Sequence, residues 1–66
     1  MDILAKRLYA LRKSKNLRQI DVAEALGIAL ITYQRYEADE REPNAPTVVA
    51  MADLFGVTTD YLLGRE

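Results

Sequence analysis

The chain has 66 residues with no cysteine and no histidine, and its formal net charge is −1. This length predicts a single domain over residues 1–66, near the lower size limit for a core without disulfides or metals. The missing residue types exclude disulfides, zinc sites built from cysteine or histidine, and histidine-based catalysis. No apolar run is long enough to span a membrane and the N-terminus lacks the layout of a signal peptide, so we expect a cytoplasmic protein without a metal or a cofactor.

Charge is distributed unevenly along the chain. Residues 1–18 carry six basic side chains and one acidic side chain, a net charge of +5, whereas residues 37–66 carry seven acidic and two basic side chains, a net charge of −5. Such runs of charge commonly belong to solvent-exposed faces of helices. The slightly acidic total predicts weak non-specific affinity for nucleic acid, because that affinity scales with the number of phosphates neutralised.

The N-terminal segment has the pattern of an amphipathic helix from about Asp2 to Lys15. Leucines recur on one face at positions i, i+4 and i+7, and basic side chains lie off that stripe. Asn16 then interrupts the pattern, and Leu17 is expected to return to the core.

The stretch from Arg18 to Glu37 predicts two short helices joined by a turn at Gly27. Glycine tolerates the left-handed backbone that ends a helix. The first helix should run from about Gln19 to Leu26, and the second from about Ala29 to Glu37. Apolar spacing predicts these inward side chains: Val22, Ala23 and Leu26 in the first helix, and Ala29, Tyr33 and Tyr36 in the second.

Two further helices complete the predicted fold. Asn44 is expected to cap the fourth helix, which runs to about Phe55 and ends at Gly56. A fifth helix from about Thr59 to Leu63 should begin after a cap at Thr58 and end at Gly64. The predicted architecture is therefore all-α, a compact five-helix bundle.

This spaced pattern resembles the helix-turn-helix of the lambda-repressor/Cro-like family, also called the XRE type. Within the motif the resemblance is carried by Gln19, Val22-Ala23, Gly27-Ile28, Thr32-Tyr33 and Glu37. Outside the motif it is carried by Leu8, Leu11, Arg12, Leu17, Arg41-Glu42-Pro43, Met51-Ala52, Phe55-Gly56-Val57 and Asp60-Tyr61-Leu62-Leu63-Gly64.

The resemblance implies a function in transcription. Helices 2 and 3 would form the helix-turn-helix, and the protein would bind double-stranded DNA sequence-specifically as a repressor-type regulator of a short palindromic operator. In a bacterium or phage such a protein would be associated with the nucleoid. An enzyme is not expected, because no acidic residue sits in an apolar run beside a plausible partner and the chain leaves little room for a deep pocket.

Three positions depart from the family pattern. Arg18 and Ala29 stand where the family usually places serine or threonine, whose hydroxyl groups cap a helix start, and each lost cap should cost about 1 kcal/mol. Asp39 stands where the family commonly has glycine, at a position that needs positive φ.

The resemblance assigns roles to specific side chains. The outward face of helix 3 would contact bases in the major groove, through Leu30, Ile31, Gln34 and Arg35. Phosphate contacts would fix the register of the protein on the duplex, through Arg18, Gln19, Thr32 and Arg41. Arg12 and Glu37 would form a partly buried structural ion pair between helices 1 and 3.

Leu30 and Ile31 leave the nature of the recognition face open. They could contact thymine methyl groups in an A·T-rich site, or form an apolar patch that binds a protein partner. In a third interpretation, helix 3 is rotated or the pair is buried in a self-association contact. The alternative function is therefore a protein-interaction or self-associating module on the same fold with little DNA affinity.

The last helix carries more large apolar side chains than a five-residue helix is expected to bury. Small members of the resembled family pair through this helix, which implies a homodimer whose recognition helices lie one DNA turn apart, about 34 Å. The interface would include Tyr61, Leu62 and Leu63. In the alternative interpretation all three close the core of the monomer.

Overall fold

The computed structural model describes residues 2–66, so Met1 of the predicted domain lies outside the described residues. Within that range the fold is purely helical, with α1 (Asp2–Ser14), α2 (Gln19–Leu26), α3 (Leu30–Glu37), α4 (Ala45–Phe55) and α5 (Thr59–Leu63). The predicted all-α, five-helix fold is confirmed. α1 ends one residue earlier and α3 begins one residue later than predicted.

All five helices contribute to one apolar core. The buried members are Leu4, Leu8, Val22, Ala23, Tyr33, Tyr36, Val48, Met51, Ala52, Phe55 and Leu62. Helices of 5 to 13 residues are marginal in isolation, so this shared burial stabilises them. No helix between residues 2 and 66 is long and apolar enough to cross a membrane.

Left-handed residues end every helix of the bundle. Gly27 follows α2 at φ 69°, whereas Asn16 after α1 and Asp39 after α3 are non-glycine residues at φ 55° and 60°. In both non-glycine cases the backbone N–H of the following residue bonds a carbonyl in the last turn of the helix: the Leu17 N–H donates to the Arg12 carbonyl at 3.1 Å, and the Glu40 N–H donates to the Arg35 carbonyl at 2.9 Å. This is the hydrogen bond of a Schellman motif, which satisfies a carbonyl at the helix end.

The helix starts differ in how they are capped. Asn44 Oδ1 accepts from the Thr47 N–H at 3.0 Å, and Thr58 Oγ1 accepts from the Tyr61 N–H at 2.9 Å. α3 begins after Ala29 without a side-chain cap, as the sequence predicts. All five helices thus have ends defined by local chemistry, whereas the start of α3 lacks a side-chain cap and depends on packing.

One burial prediction and one interface prediction were wrong. Ala29 is exposed rather than inward, because it precedes the first turn of α3 instead of belonging to its buried face. Leu62 has no exposed surface and lies in the core, so it cannot contact a second protomer as predicted. Its neighbours Tyr61 and Leu63 are half-buried.

Candidate nucleic-acid interface

The exposed face of α3 is narrow and has mixed chemistry. Ile31 is 54% exposed and Arg35, one turn later, is also exposed. Tyr33 and Tyr36 are buried on the opposite side, which fixes the rotation of the helix about its axis. The interpretation in which a rotated α3 buries Ile31 is therefore wrong for the monomer.

Leu30 and Gln34 form the flank of this face toward α2, and both are half-buried. Partial burial of Leu30 corrects the prediction of two adjacent exposed aliphatic side chains. Most of the exposed apolar surface on α3 therefore belongs to Ile31.

The two arginines nearest the end of α3 are exposed. Arg35 has no hydrogen bond or ion pair to any side chain of residues 2–66, and Arg41 lies in the connection between α3 and α4. An unpaired guanidinium retains all five N–H donors for an external acceptor. Thr32 is half-buried on the side of α3 adjacent to Ile31.

At the start of α2, Arg18 is tied to Asp21. The Arg18 backbone N–H donates to Asp21 Oδ2 at 2.8 Å, and its guanidinium donates to both carboxylate oxygens at 2.8 and 3.1 Å. Hydrogen bonding to Arg18 lowers the pKa of Asp21. Asp21 thereby performs the reciprocal half of a capping box, which the prediction of an uncapped helix missed although residues i and i+3 are a recognisable pair.

A hydrogen-bonded chain joins α2 to α3 beside the exposed face. Gln34 Nε2 donates to Gln19 Oε1 at 3.2 Å, and Gln19 Nε2 donates to Glu37 Oε1 at 3.2 Å. The prediction of separate DNA contacts for Gln19 and Gln34 does not include this pairing, since the two residues are 15 positions apart in the sequence. Hydrogen bonds within the protein therefore hold both amides in place beside the exposed face of α3.

Arg12 and Glu37 form a two-point ion pair behind this chain. Arg12 Nε and Nη2 donate to the two Glu37 oxygens at 2.6 and 3.1 Å, and Arg12 Nη1 donates to the Leu17 carbonyl at 2.9 Å. The side chains are only 9% and 5% exposed. Burial by itself would raise the pKa of Glu37, but the hydrogen bonds from Arg12 and Gln19 outweigh it and lower that pKa.

The chemistry of this surface suits the major groove of a duplex. An arginine can bond guanine O6 and N7, and a branched apolar group can contact the thymine methyl. The face is convex and belongs to one eight-residue helix, whose end is anchored to α1 through Arg12 and Glu37. Its side chains can therefore enter a groove without rearrangement of the bundle.

Comparison with known proteins gives the same fold and motif. The helix-turn-helix family model matches residues 8–62. The structure resembles the crystal structure of the P22 c2 repressor protein in complex with synthetic operator 9T, with a TM-score of 0.89 and 27% identity over 96% of each chain. The five-helix arrangement is thus that of a lambda-repressor-like domain.

Transcription regulators are among the sequence relatives. The HTH-type transcriptional regulator AnsR of Bacillus subtilis is 48% identical over 60 residues, covering 91% of this chain and 52% of AnsR. The cryptic phage CTXphi transcriptional repressor RstR of Vibrio cholerae is 36% identical over 62 residues, covering 94% and 55%. The chain spans about half the length of these relatives. It belongs to the lambda-repressor/Cro-like, XRE-type helix-turn-helix family.

Proposed function

We propose that the chain binds double-stranded DNA sequence-specifically as a repressor-type transcriptional regulator that reads a short palindromic operator with α3. The observation that carries the proposal is that the side chains of Ile31 and Arg35 are both exposed on one face of α3. The closely similar P22 c2 structure is of a repressor on its operator. Such a regulator would act in the cytoplasm, at the nucleoid in a bacterium.

The proposed contacts divide by chemistry. Bases are contacted by the face of α3, with Arg35 donating to guanine and Ile31 against a thymine methyl, while half-buried Leu30 adds little. Phosphates are contacted around that face, by Arg18, Gln19, Thr32 and Arg41. Arg18 has to exchange its ion pair with Asp21 for a phosphate, so its contribution is the smallest of the four.

A salt titration tests the DNA-binding proposal. Affinity for a random-sequence duplex should fall linearly on logarithmic axes, with a slope of about −0.9 for each phosphate neutralised. Arg41→Ala should reduce that slope by about one phosphate without changing sequence preference. Absence of binding to any duplex at low ionic strength would contradict the proposal.

Replacing thymine by uracil tests the role of Ile31. This change removes only the C5 methyl group and leaves the hydrogen-bonding edge intact. At the base facing Ile31 it should weaken binding about fourfold, the value of one buried methyl group. Ile31→Ala should lose this sensitivity, whereas Tyr9→Ala, at a position 53% exposed on α1, should keep it.

A protein-interaction module is the alternative, favoured by the exposure of Ile31. This alternative has less support than DNA binding, because Leu30 is partly buried and Ile31 is then a single exposed apolar side chain rather than part of a contiguous apolar patch. Ile31→Ser would abolish complex formation with a protein partner or with a second copy if the alternative holds. Under the DNA-binding proposal the same variant stays unchanged in self-association and loses operator affinity.

We further propose that two copies pair through α5 and the adjacent groove. After the exclusion of Leu62, the proposed contact rests mainly on Leu63, which lines an apolar groove of about 340 Å³ with Pro43 and Val49. Tyr61 contributes only the part of its ring that the Arg7 guanidinium, 4.1 Å from the ring centre, leaves uncovered. Val49→Asp should dissociate the homodimer in sedimentation experiments. Ala10→Asp introduces the same charge at an exposed position of α1 and should leave the homodimer intact.

A further inference from the structure

The hydrogen-bonded chain of Glu37, Gln19 and Gln34, here called the amide relay, begins at a carboxylate that is 5% exposed. Glu37 Oε1 accepts from Gln19 Nε2, and Gln19 Oε1 accepts from Gln34 Nε2, each at 3.2 Å. The relay therefore runs from the interior of the bundle to the flank of the exposed α3 face.

The direction of the relay is set by chemistry. Glu37 is ionised against Arg12, and an ionised carboxylate can only accept hydrogen bonds. Gln19 must therefore turn its NH2 group to Glu37 and its oxygen to Gln34. Gln34 must in turn use its NH2 group toward Gln19. Neither amide can flip without placing two acceptors or two donors against each other.

Gln34 consequently presents its oxygen on the side away from Gln19. No donor among residues 2–66 bonds Gln34 Oε1, and this atom is not one of the solvent-inaccessible unbonded polar atoms in that range. The second hydrogen of Gln34 Nε2 also remains available, because the NH2 group has two donors. An acceptor beside a donor matches adenine N6 and N7 in the major groove.

We infer that Gln34 reads adenine with an amide orientation preset by the relay, and that Gln19 is the positioning residue for this reading. The inference rests on the proposed function of DNA binding. A flipped Gln34 would present its NH2 group outward and suit guanine O6 or thymine O4 instead. The buried carboxylate thus discriminates against guanine and thymine without touching DNA.

The first test selects binding sequences from a random duplex library with the wild-type protein and with Gln34→Ala. One base pair in each selected half-site should prefer adenine with the wild type and lose that preference with Gln34→Ala. Replacing this adenine by purine, which lacks the N6 amino group, should weaken wild-type binding about tenfold. It should leave Gln34→Ala binding unchanged.

The second test removes the positioning residue with Gln19→Leu, which keeps the approximate side-chain size. Gln34 should then turn freely, so preference for adenine over guanine at that base pair should fall from about tenfold to about threefold or less. Gln19→Leu also removes a proposed phosphate contact. That loss should weaken binding to all sequences equally, so it can be distinguished from a change in the preference for adenine over guanine. Thermal unfolding confirms that the variant is folded.

The outcomes separate the two proposals. A wild-type preference for guanine or thymine at the base pair that depends on Gln34 overturns the inference, and so does full adenine preference in folded Gln19→Leu. If the selected operators show no base preference that depends on Gln34, the inference is overturned while the proposed function stands. A library from which the wild type enriches no sequence overturns both.

Discussion

At the scale of single residues, the Tyr33 hydroxyl has an unusual environment. The side chain has no exposed surface, and its oxygen makes no hydrogen bond to any of residues 2–66. Burial raises the pKa of Tyr33 far above its ordinary value, and the nearby Glu37 carboxylate, which lies outside hydrogen-bonding geometry in the structure but close enough to interact with the hydroxyl, raises it further. The phenol therefore stays neutral, and an unpaired buried hydroxyl costs free energy.

Tyr33→Phe should leave the free energy of unfolding unchanged or raise it by up to about 1 kcal/mol, because it removes a polar atom that lacks a partner. Urea denaturation measures the change. Tyr36→Phe is the matched control with an aromatic ring in the same core, and it should change little. A loss of more than about 1 kcal/mol in Tyr33→Phe would show that the hydroxyl donates to Glu37 in solution.

The Arg12 and Glu37 pair makes stability depend on pH. Because the pKa of Glu37 is lower in the folded protein than in the unfolded chain, its stabilisation is fully present above the ordinary glutamate pKa of about 4.3. It is lost as pH falls below that value toward the folded pKa. At neutral pH, Glu37→Gln should lose about 3 kcal/mol, since it leaves the Arg12 charge buried without a counterion.

Unfolding free energies measured from pH 7 to pH 3 test this linkage. The difference between wild type and Glu37→Gln should shrink below about pH 4, where Glu37 of the unfolded chain becomes protonated while Glu37 of the folded protein, with its lowered pKa, is still ionised. The double variant Arg12→Met with Glu37→Leu should recover most of the loss and remove this pH dependence. A difference that is constant with pH would mean that Glu37 does not contribute through its charge.

At the scale of helices, the start of α3 is the weakest local element. Ala29 offers no acceptor to the first turn, whereas Asn44 caps α4 through Thr47. Ala29→Ser should raise the free energy of unfolding by about 1 kcal/mol, and Asn44→Ala should lower it by about 1 kcal/mol. Thermal denaturation of both variants checks the pair, and no gain from Ala29→Ser would show that the exposed first turn is already satisfied by water.

At the scale of the whole molecule, the net charge of −1 limits non-specific DNA binding. Glu40 lies in the connection after α3 and is exposed, whereas Asp53 is exposed on α4. Glu40→Gln should raise affinity for random duplex about twofold at low salt, because it removes the repulsion between the Glu40 carboxylate and a phosphate roughly 10 Å away. Asp53→Asn removes the same charge from α4, a helix that packs mainly against α2 and α5 rather than α3, and should change affinity less. Equal effects would contradict the proposed binding face.

Local sequence rules predicted the helices because the signals lie within a few residues of each other. Gly27 ends α2 and Thr58 caps α5 in the structure as expected. The same rules predicted that Tyr33 is buried, since aromatic spacing on a short helix defines its inward face. They failed at Ala29, where a shift of one residue at the helix start moved the side chain from core to solvent.

The sequence by itself determined that this protein is an all-α bundle of five short helices with a helix-turn-helix from Gln19 to Glu37, because caps, turns and apolar periodicity act over one or two helical turns. Only the tertiary structure decided that Leu62 belongs to the core and that Gln19 connects Gln34 to Glu37. Those facts depend on how helices pack against one another. Contacts between residues 15 to 18 positions apart leave no local pattern, so the orientation of the groups offered to DNA emerges only when the bundle is assembled.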